Sequence, residues 1–215
     1  MQNDYIANVP LLTLEELEDL TYEISNIPES YNIIKKAHEY SETLRKIAQK
    51  AEILSLIKPI LGDNVILWGC KIIRLEPSRC HKWHLDVEHT LVEGVTLSLA
   101  VNNFNDNTIF KLISNTHDIP YSPQEHYSST SSWDNLLEKA LEYNPKCELK
   151  NVILKNGEFI AFKGRVWHST INASQQVRTS IVFQYCRNDA LALLPSTFNY
   201  PNIIWSKIKP YYFPI

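Results

Sequence analysis

The sequence predicts a mainly β domain, a sandwich or jelly roll, with helices gathered at its N-terminus. Three observations predict it. Residues 1–62 read as helical. Beyond Gly62, runs rich in β-branched and aromatic residues take over. The clearest of these, VILKNGEFIAF at 152–162, sets two apolar runs around Asn156-Gly157. That dipeptide is the preferred centre of a two-residue hairpin turn.

The elements follow in order. Thr13 and Glu16 form a capping-box signature, and Leu14, Leu17, Leu20 and Ile24 then recur at helical spacing. A second helical stretch runs from about Ser30 to Leu61, with Ile33, Ile34, Ala37, Leu44, Ile47, Ile53 and Leu54 toward the core. Pro59 and Gly62 end or bend it. Strands are expected at Val65–Leu75, Val95–Val101, Thr108–Ile113 and Val177–Cys186. A short helix from about Ser132 to Tyr143 stops at Asn144-Pro145, and the Ser-rich patch at 127–132 before it reads as a surface loop.

Bulk properties narrow the classes. A chain of 215 residues suits one domain with a substantial core, and no repeat or linker divides it. A net charge of −3 gives no reason to expect nucleic acid or an anionic membrane as partner. The first twenty residues lack the basic start and apolar run of a signal peptide, and no apolar stretch approaches the ~20 residues of a membrane span. A cytoplasmic location is therefore expected. Cys70, Cys80, Cys147 and Cys186 form no C-x-x-C pair for a zinc or redox site; four cysteines allow two disulfides, but with no secretory signal buried thiols are expected. Cys80 lies beside His81, but no spacing supplies it with a base or an oxyanion hole.

The chemistry concentrates in two short segments. In Trp83-His84-Leu85-Asp86, alternation along an extended chain points His84 and Asp86 to one face, where an imidazole and a carboxylate can share a cation. His168, in Val166-Trp167-His168, is the best third ligand. Two histidines and one carboxylate leave three positions open on a metal, the arrangement of non-haem Fe(II) oxygenases. Ten residues on, Arg178 and Ser180 share a face, and a guanidinium fork beside a hydroxyl suits capture of a carboxylate. An open metal site takes a bidentate 2-oxo acid and O2, and Arg178 takes the acid's far end. Lys71, on the preceding strand, is a further contact if it faces the site. Pattern alone leaves that open, because Trp68, Cys70 and Ile72 serve equally well as the core side. His38, His117 and His126 read as structural or exposed, His89 is out of phase with His84, and Trp83 and Trp167 read as core packing.

From about Ile66 to Arg187 the chain resembles the phytanoyl-CoA dioxygenase-like branch of the Fe(II)/2-oxoglutarate oxygenases. WHLD at 83–86 is similar to the family's W-H-x-D. NGEFIAFKGRVWHST at 156–170 is similar to its G-D-…-W-H stretch, with Glu158 where Asp is usual. RTSIVFQYC at 178–186 resembles its final core strand, and ISNTHD at 113–118 a variant of its I-P-G-S-H turn. Asn115-Thr116 replaces the Gly-Ser of that turn, and EPSRCHK stands where a Gly-rich stretch is usual.

The resemblance implies a double-stranded β-helix (a cupin-like jelly roll) and one oxygenase domain over 1–215. Residues 1–62 would be a helical layer, 63–190 the core, and 191–215 a tail packed on it. It also implies iron on His84, Asp86 and His168, with 2-oxoglutarate on Arg178, Ser180 and Lys71. The reaction implied is hydroxylation of an unactivated C–H bond by O2 with release of succinate and CO2, and the small chain with its missing Gly-rich loop suggests a small molecule or natural-product intermediate as substrate. Related halogenases carry a small residue where Asp86 stands, so the carboxylate favours hydroxylation over halogenation. A monomer or homodimer is expected. Two other readings share these residues: a cupin-like metal dioxygenase without 2-oxoglutarate, and a non-catalytic jelly-roll binding protein.

Overall fold

The computed structural model describes residues 4–27, 32–87, 93–123, 135–187, 189 and 213–214. In chain order the elements are β1 (Tyr5–Pro10), α1 (Leu14–Ser25), β2 (Ile33–Lys35), a 3-10 turn (Ala37–Glu39), α2 (Glu42–Ala48), α3 (Ala51–Leu61), β3 (Val65–Leu75) and β4 (Arg79–His84). There follow β5 (Gly94–Asn102), β6 (Thr108–Ser114), α4 (Leu136–Tyr143), β7 (Glu148–Ile153), β8 (Glu158–Lys163), β9 (Trp167–Asn172), β10 (Arg178–Arg187) and β11 (Phe213–Pro214). They form a jelly roll of two antiparallel sheets. The larger runs β1-β8-β5-β10-β3, with β2 and β11 both on the free edge of β3; the smaller runs β4-β9-β6-β7.

Strand alternation gives each sheet two faces. The outer face of the larger sheet carries Leu67, Cys70, Ile72, Leu97, Leu99, Phe159, Ile181, Phe183 and Tyr185, packed under α1, α2 and α3 through Leu20, Ile24, Leu44, Ile47, Ile53 and Ile57. Fully burying a side chain such as Phe183 stabilises by roughly 1.5–3 kcal/mol relative to leaving it exposed. Two polar contacts fix the helices on this layer. The Tyr185 hydroxyl donates to Ala48 O at 3.0 Å, and Arg74 Nη2 donates to Ile24 O and Ile27 O, both at 3.0 Å. Between the sheets, Ala100, Phe110, Leu112, Val152, Leu154, Ile160, Phe162 and Val166 fill one end. The smaller sheet covers Trp167 and Ile113 with α4 through Leu136 and Ala140.

The capping box of α1 is present in both directions, Glu16 N to Thr13 Oγ1 and Thr13 N to Glu16 Oε2. The N-terminal region is otherwise less helical than its sequence suggests. β1 pairs with β8 and β2 pairs with β3, so two segments of residues 1–62 are edge strands and Ile33 is exposed. β2 is too short to carry a period of its own, and in β1 the exposed Ile6 masks the alternation of Tyr5, Ala7 and Val9; the order of both comes from the long strands beside them. Asn156-Gly157 does turn the chain, but it does not close a hairpin. β7 pairs with β6 in the smaller sheet, whereas β8 pairs with β5 and β1 in the larger. Gly157 alone has positive φ (88°) and Glu158 N donates to Lys155 O at 3.0 Å, the pattern of a type II turn crossing between sheets. The Ser-rich patch at 127–132 and the tail over 191–212 lie outside the described residues. Among the described residues no helix is long and apolar enough to cross a membrane.

Candidate metal centre

β4 ends on His84 and β9 opens with Trp167-His168, and the two strands pair so that His84 lies opposite His168. Asp86 follows just past β4. Its backbone N–H and that of Val87 both donate to Gly164 O at 2.9 Å, which clamps the H-x-D segment onto the turn before β9. The clamp needs glycine. A Cβ on Gly164 would meet Val87 Cγ2 at 2.5 Å, and one on Gly94 would meet it at 2.9 Å.

The clamp brings the ligand atoms of His84, Asp86 and His168 within 4.8 Å of one another. His84 Nε2 lies 3.9 Å from Asp86 Oδ1, and His168 Nε2 lies 3.7 Å from Asp86 Oδ2. Each imidazole is oriented by its own backbone: His84 Nδ1 donates to Lys82 O at 2.7 Å and His168 Nδ1 to Val166 O at 2.9 Å. A carbonyl can only accept, so the proton sits on Nδ1 and both Nε2 lone pairs face the carboxylate. Burial, then the neighbouring His168, pushes His84 down to about 4, and burial lowers His168 as well. Burial pulls Asp86 upward, but His168, His84 and Lys71 outweigh it, and its carboxyl lies below its ordinary value. Two neutral imidazoles and an ionised carboxylate are a donor set for a divalent cation. Phe110 stacks on His168 with ring centroids 5.5 Å apart, and Phe162 packs at 4.5 Å.

This cluster opens into a cavity of about 350 Å3 between the sheets. Lys71, Thr96, Ser98, Arg178 and Ser180 from the larger sheet line it, facing Thr170 from β9. Arg178 is only 3% exposed. Its Nη2 donates to Thr170 Oγ1 at 3.3 Å, its guanidinium lies 4.9 Å from the Phe104 ring centroid, and its Nε has no partner. No carboxylate among the described residues pairs with it, and burial lowers its pKa to about 10. A cation held this way is built to receive an anion.

All six residues singled out in the sequence therefore reach one cavity. Lys71, whose face the pattern left open, turns inward because Cys70 and Ile72 take the helical side. A β-bulge at Trp68 shifts the alternation, leaving that residue without a partner on β10. His81 also lines the cavity, its ring 4.1 Å from that of His84, but it lies outside the three-residue cluster. His38 is buried and His117 pairs with Asp4 at 2.9 Å, while His89 and His126 fall outside the described residues. Cys70, Cys147 and Cys186 are buried thiols, but Cys80 is exposed.

Several contributors escaped the sequence reading. Thr96 lies beside the Asp86 carboxylate and helps to lower its pKa. Its signal was available, since Thr96 and Ser98 are polar residues two apart in the otherwise apolar GVTLSLAVN. Thr116 accepts from Trp167 N at 2.9 Å and donates to Ile113 O at 2.8 Å, so the variant turn braces the strand that carries His168. Asn115, where the resembling family has Gly, sits at φ 61°, a conformation asparagine tolerates better than most residues.

No protein-family model matches the chain, and no curated protein matches it by sequence. Solved structures do match. The chain is similar to SnoN, a non-haem alpha-ketoglutarate-dependent epimerase from nogalamycin biosynthesis, at 16% identity and TM-score 0.67, over 86% of this chain and 79% of that one. It is similar to EctD from S. alaskensis, solved with 2-oxoglutarate and 5-hydroxyectoine, at 16% identity and TM-score 0.65, over 86% and 72%. HygX from Streptomyces hygroscopicus, solved with nickel and 2-oxoglutarate, gives 11% identity and TM-score 0.69, over 86% and 83%. At these identities the likeness establishes the fold, the cupin-like jelly roll.

Proposed function

We propose that this chain is an Fe(II)- and 2-oxoglutarate-dependent oxygenase, a single cytosolic domain of the phytanoyl-CoA dioxygenase-like type, that hydroxylates a small molecule. The observation that carries the reading is Arg178, a buried guanidinium without a carboxylate among the described residues, in the same cavity as the His84–Asp86–His168 cluster. An unpaired buried cation costs several kcal/mol. A dicarboxylate removes that cost by presenting one end to the guanidinium. Its other end needs a metal with vacant positions, which two imidazoles and one carboxylate provide. The 2-oxoglutarate in the solved EctD and HygX structures supports the same reading.

His84 Nε2, His168 Nε2 and an Asp86 carboxylate oxygen would hold the iron. Iron with 2-oxoglutarate supplies oxidation of an unactivated C–H bond by O2, releasing succinate and CO2. The chain's own part is orientation. The Lys82 and Val166 carbonyls keep both Nε2 atoms free of protons, and Thr96 helps to keep the Asp86 carboxylate ionised. Arg178 with Ser180 anchors the far carboxylate of 2-oxoglutarate, and Lys71 adds a cation on the same wall. Phe110 and Phe162 shield one side of His168 from water.

Metal analysis and melting temperature test this. One Fe(II) per chain is expected, with a melting temperature raised by Fe(II) and raised further by 2-oxoglutarate. Arg178→Ala should lose the second increment, and His84→Ala both. A folded parent that retains no iron and melts unchanged in their presence would remove the reading. Stabilisation by iron but not by 2-oxoglutarate would point to a metal dioxygenase that binds its substrate directly.

A further inference from the structure

Charge in the cavity is unbalanced beyond what the cofactors require. Among the described residues four cations line it, Lys35, Lys71, Lys82 and Arg178, against one carboxylate, Asp86. A divalent iron and a doubly charged 2-oxoglutarate cancel each other. The excess of three positive charges therefore survives loading, whichever cation 2-oxoglutarate engages.

Two of these lysines are held together by the fold. β2 pairs antiparallel with β3, and the register puts Lys35 directly opposite Lys71, on the face that lines the cavity. Like charges directly opposite one another in a sheet repel. Among the described residues neither has a carboxylate partner, although Lys36, next in sequence, pairs with Glu39. Lys82 reaches the same cavity from β4. The repulsion is relieved when an anion sits between the ammonium groups; Lys35 and Lys82 are exposed and Lys71 partly buried, so that attraction is strongest at low ionic strength.

We propose that the substrate carries an acidic group, a carboxylate or a phosphate, which Lys35 binds with Lys71 and Lys82 beside it, leaving the rest of the molecule to face the metal centre. This rests on the oxygenase reading for what happens to the substrate, but not for the anion subsite itself. Neutral and cationic small molecules are disfavoured by the same charge, so the lysines set specificity as well as affinity.

The test is calorimetric titration with methyl phosphate at low ionic strength. The protein is loaded with Fe(II) and 2-oxoglutarate under anaerobiosis, and the parent is compared with Lys35→Glu, Lys35→Gln and Lys35→Arg. Lys35 is exposed on a three-residue strand, and the melting temperature of each variant checks its fold. One methyl phosphate per chain is expected, bound at least tenfold more weakly by Lys35→Glu, more weakly by Lys35→Gln, and normally by Lys35→Arg. Absence of binding to the loaded parent, or binding indifferent to charge reversal, overturns the inference. If iron and 2-oxoglutarate do not load, titration of the unloaded protein still reads Lys35. Charge-sensitive binding then keeps the anion subsite and removes the oxygenase reading, whereas charge-insensitive binding removes both.

Discussion

On β3, β5 and β10 the residues facing the helices include Cys70, Ile72, Leu97, Leu99, Ile181 and Phe183, all buried and apolar. Their alternates, facing the smaller sheet, include Lys71, Ile73, Thr96, Ser98, Arg178 and Ser180. The same three strands thus present a hydrophobic layer on one side and a polar, cationic wall on the other. The outer face supplies stability, and its surplus offsets an inner face that buries groups a stable core would exclude. In a jelly roll whose inner wall binds ligands, helices on the outside replace part of the core that the cavity removes.

Truncation on the outer face should have the largest effect. Phe183→Ala is expected to lower unfolding free energy by about 3–5 kcal/mol in urea denaturation. A loss below about 1 kcal/mol would mean that the outer face is not the main source of stability. Arg178→Leu should act in the opposite sense in metal-free protein. Replacing a buried, unpaired guanidinium by a hydrocarbon is expected to stabilise by about 1–3 kcal/mol, while 2-oxoglutarate affinity falls on the order of a hundredfold. Destabilisation of the metal-free protein would show that the guanidinium is already satisfied.

Thr116→Val probes the brace behind His168. It leaves the Trp167 N–H buried without its acceptor, at a cost of about 1–3 kcal/mol, and iron retention should weaken with it. Unchanged stability and iron content would make the brace incidental. The smallest effect concerns pH. His38 lies buried under the outer face and burial lowers its pKa from 6.5. Above 6.5 both folded and unfolded chains hold it neutral and stability is full. As pH falls below 6.5 the unfolded chain takes up a proton that the folded one resists, and stability declines toward the depressed folded value. His38→Gln should flatten that part of the profile in iron-loaded protein, and an unaltered slope would assign it to other groups.

Much of the site was legible because it obeys local rules. Alternation put His84 with Asp86 and Arg178 with Ser180, and the carboxylate-binding role proposed for Arg178 needs only its residue type and face. The long strands were legible for the same reason, being apolar runs bounded by turn residues. What stayed hidden depends on pairing between distant segments. β2 is three residues long and β1 carries the apolar Ile6 on its exposed face, so no clear sequence period announces either, and both take their order from β3 and β8. The apposition of Lys35 and Lys71 is hidden with β2. Asn156-Gly157 signals a turn correctly, but which sheet each flanking strand joins is decided by partners elsewhere in the chain. The inward face of Lys71 hangs on a bulge at Trp68, which composition does not mark.

The most direct measurement of the central claim is the visible spectrum of metal-free protein given Fe(II) and 2-oxoglutarate under strict anaerobiosis. The parent should develop a weak metal-to-ligand charge-transfer band. His84→Ala should show none, and Arg178→Ala should need far more 2-oxoglutarate to develop it. A folded parent that shows no band at saturating Fe(II) and 2-oxoglutarate would contradict the account.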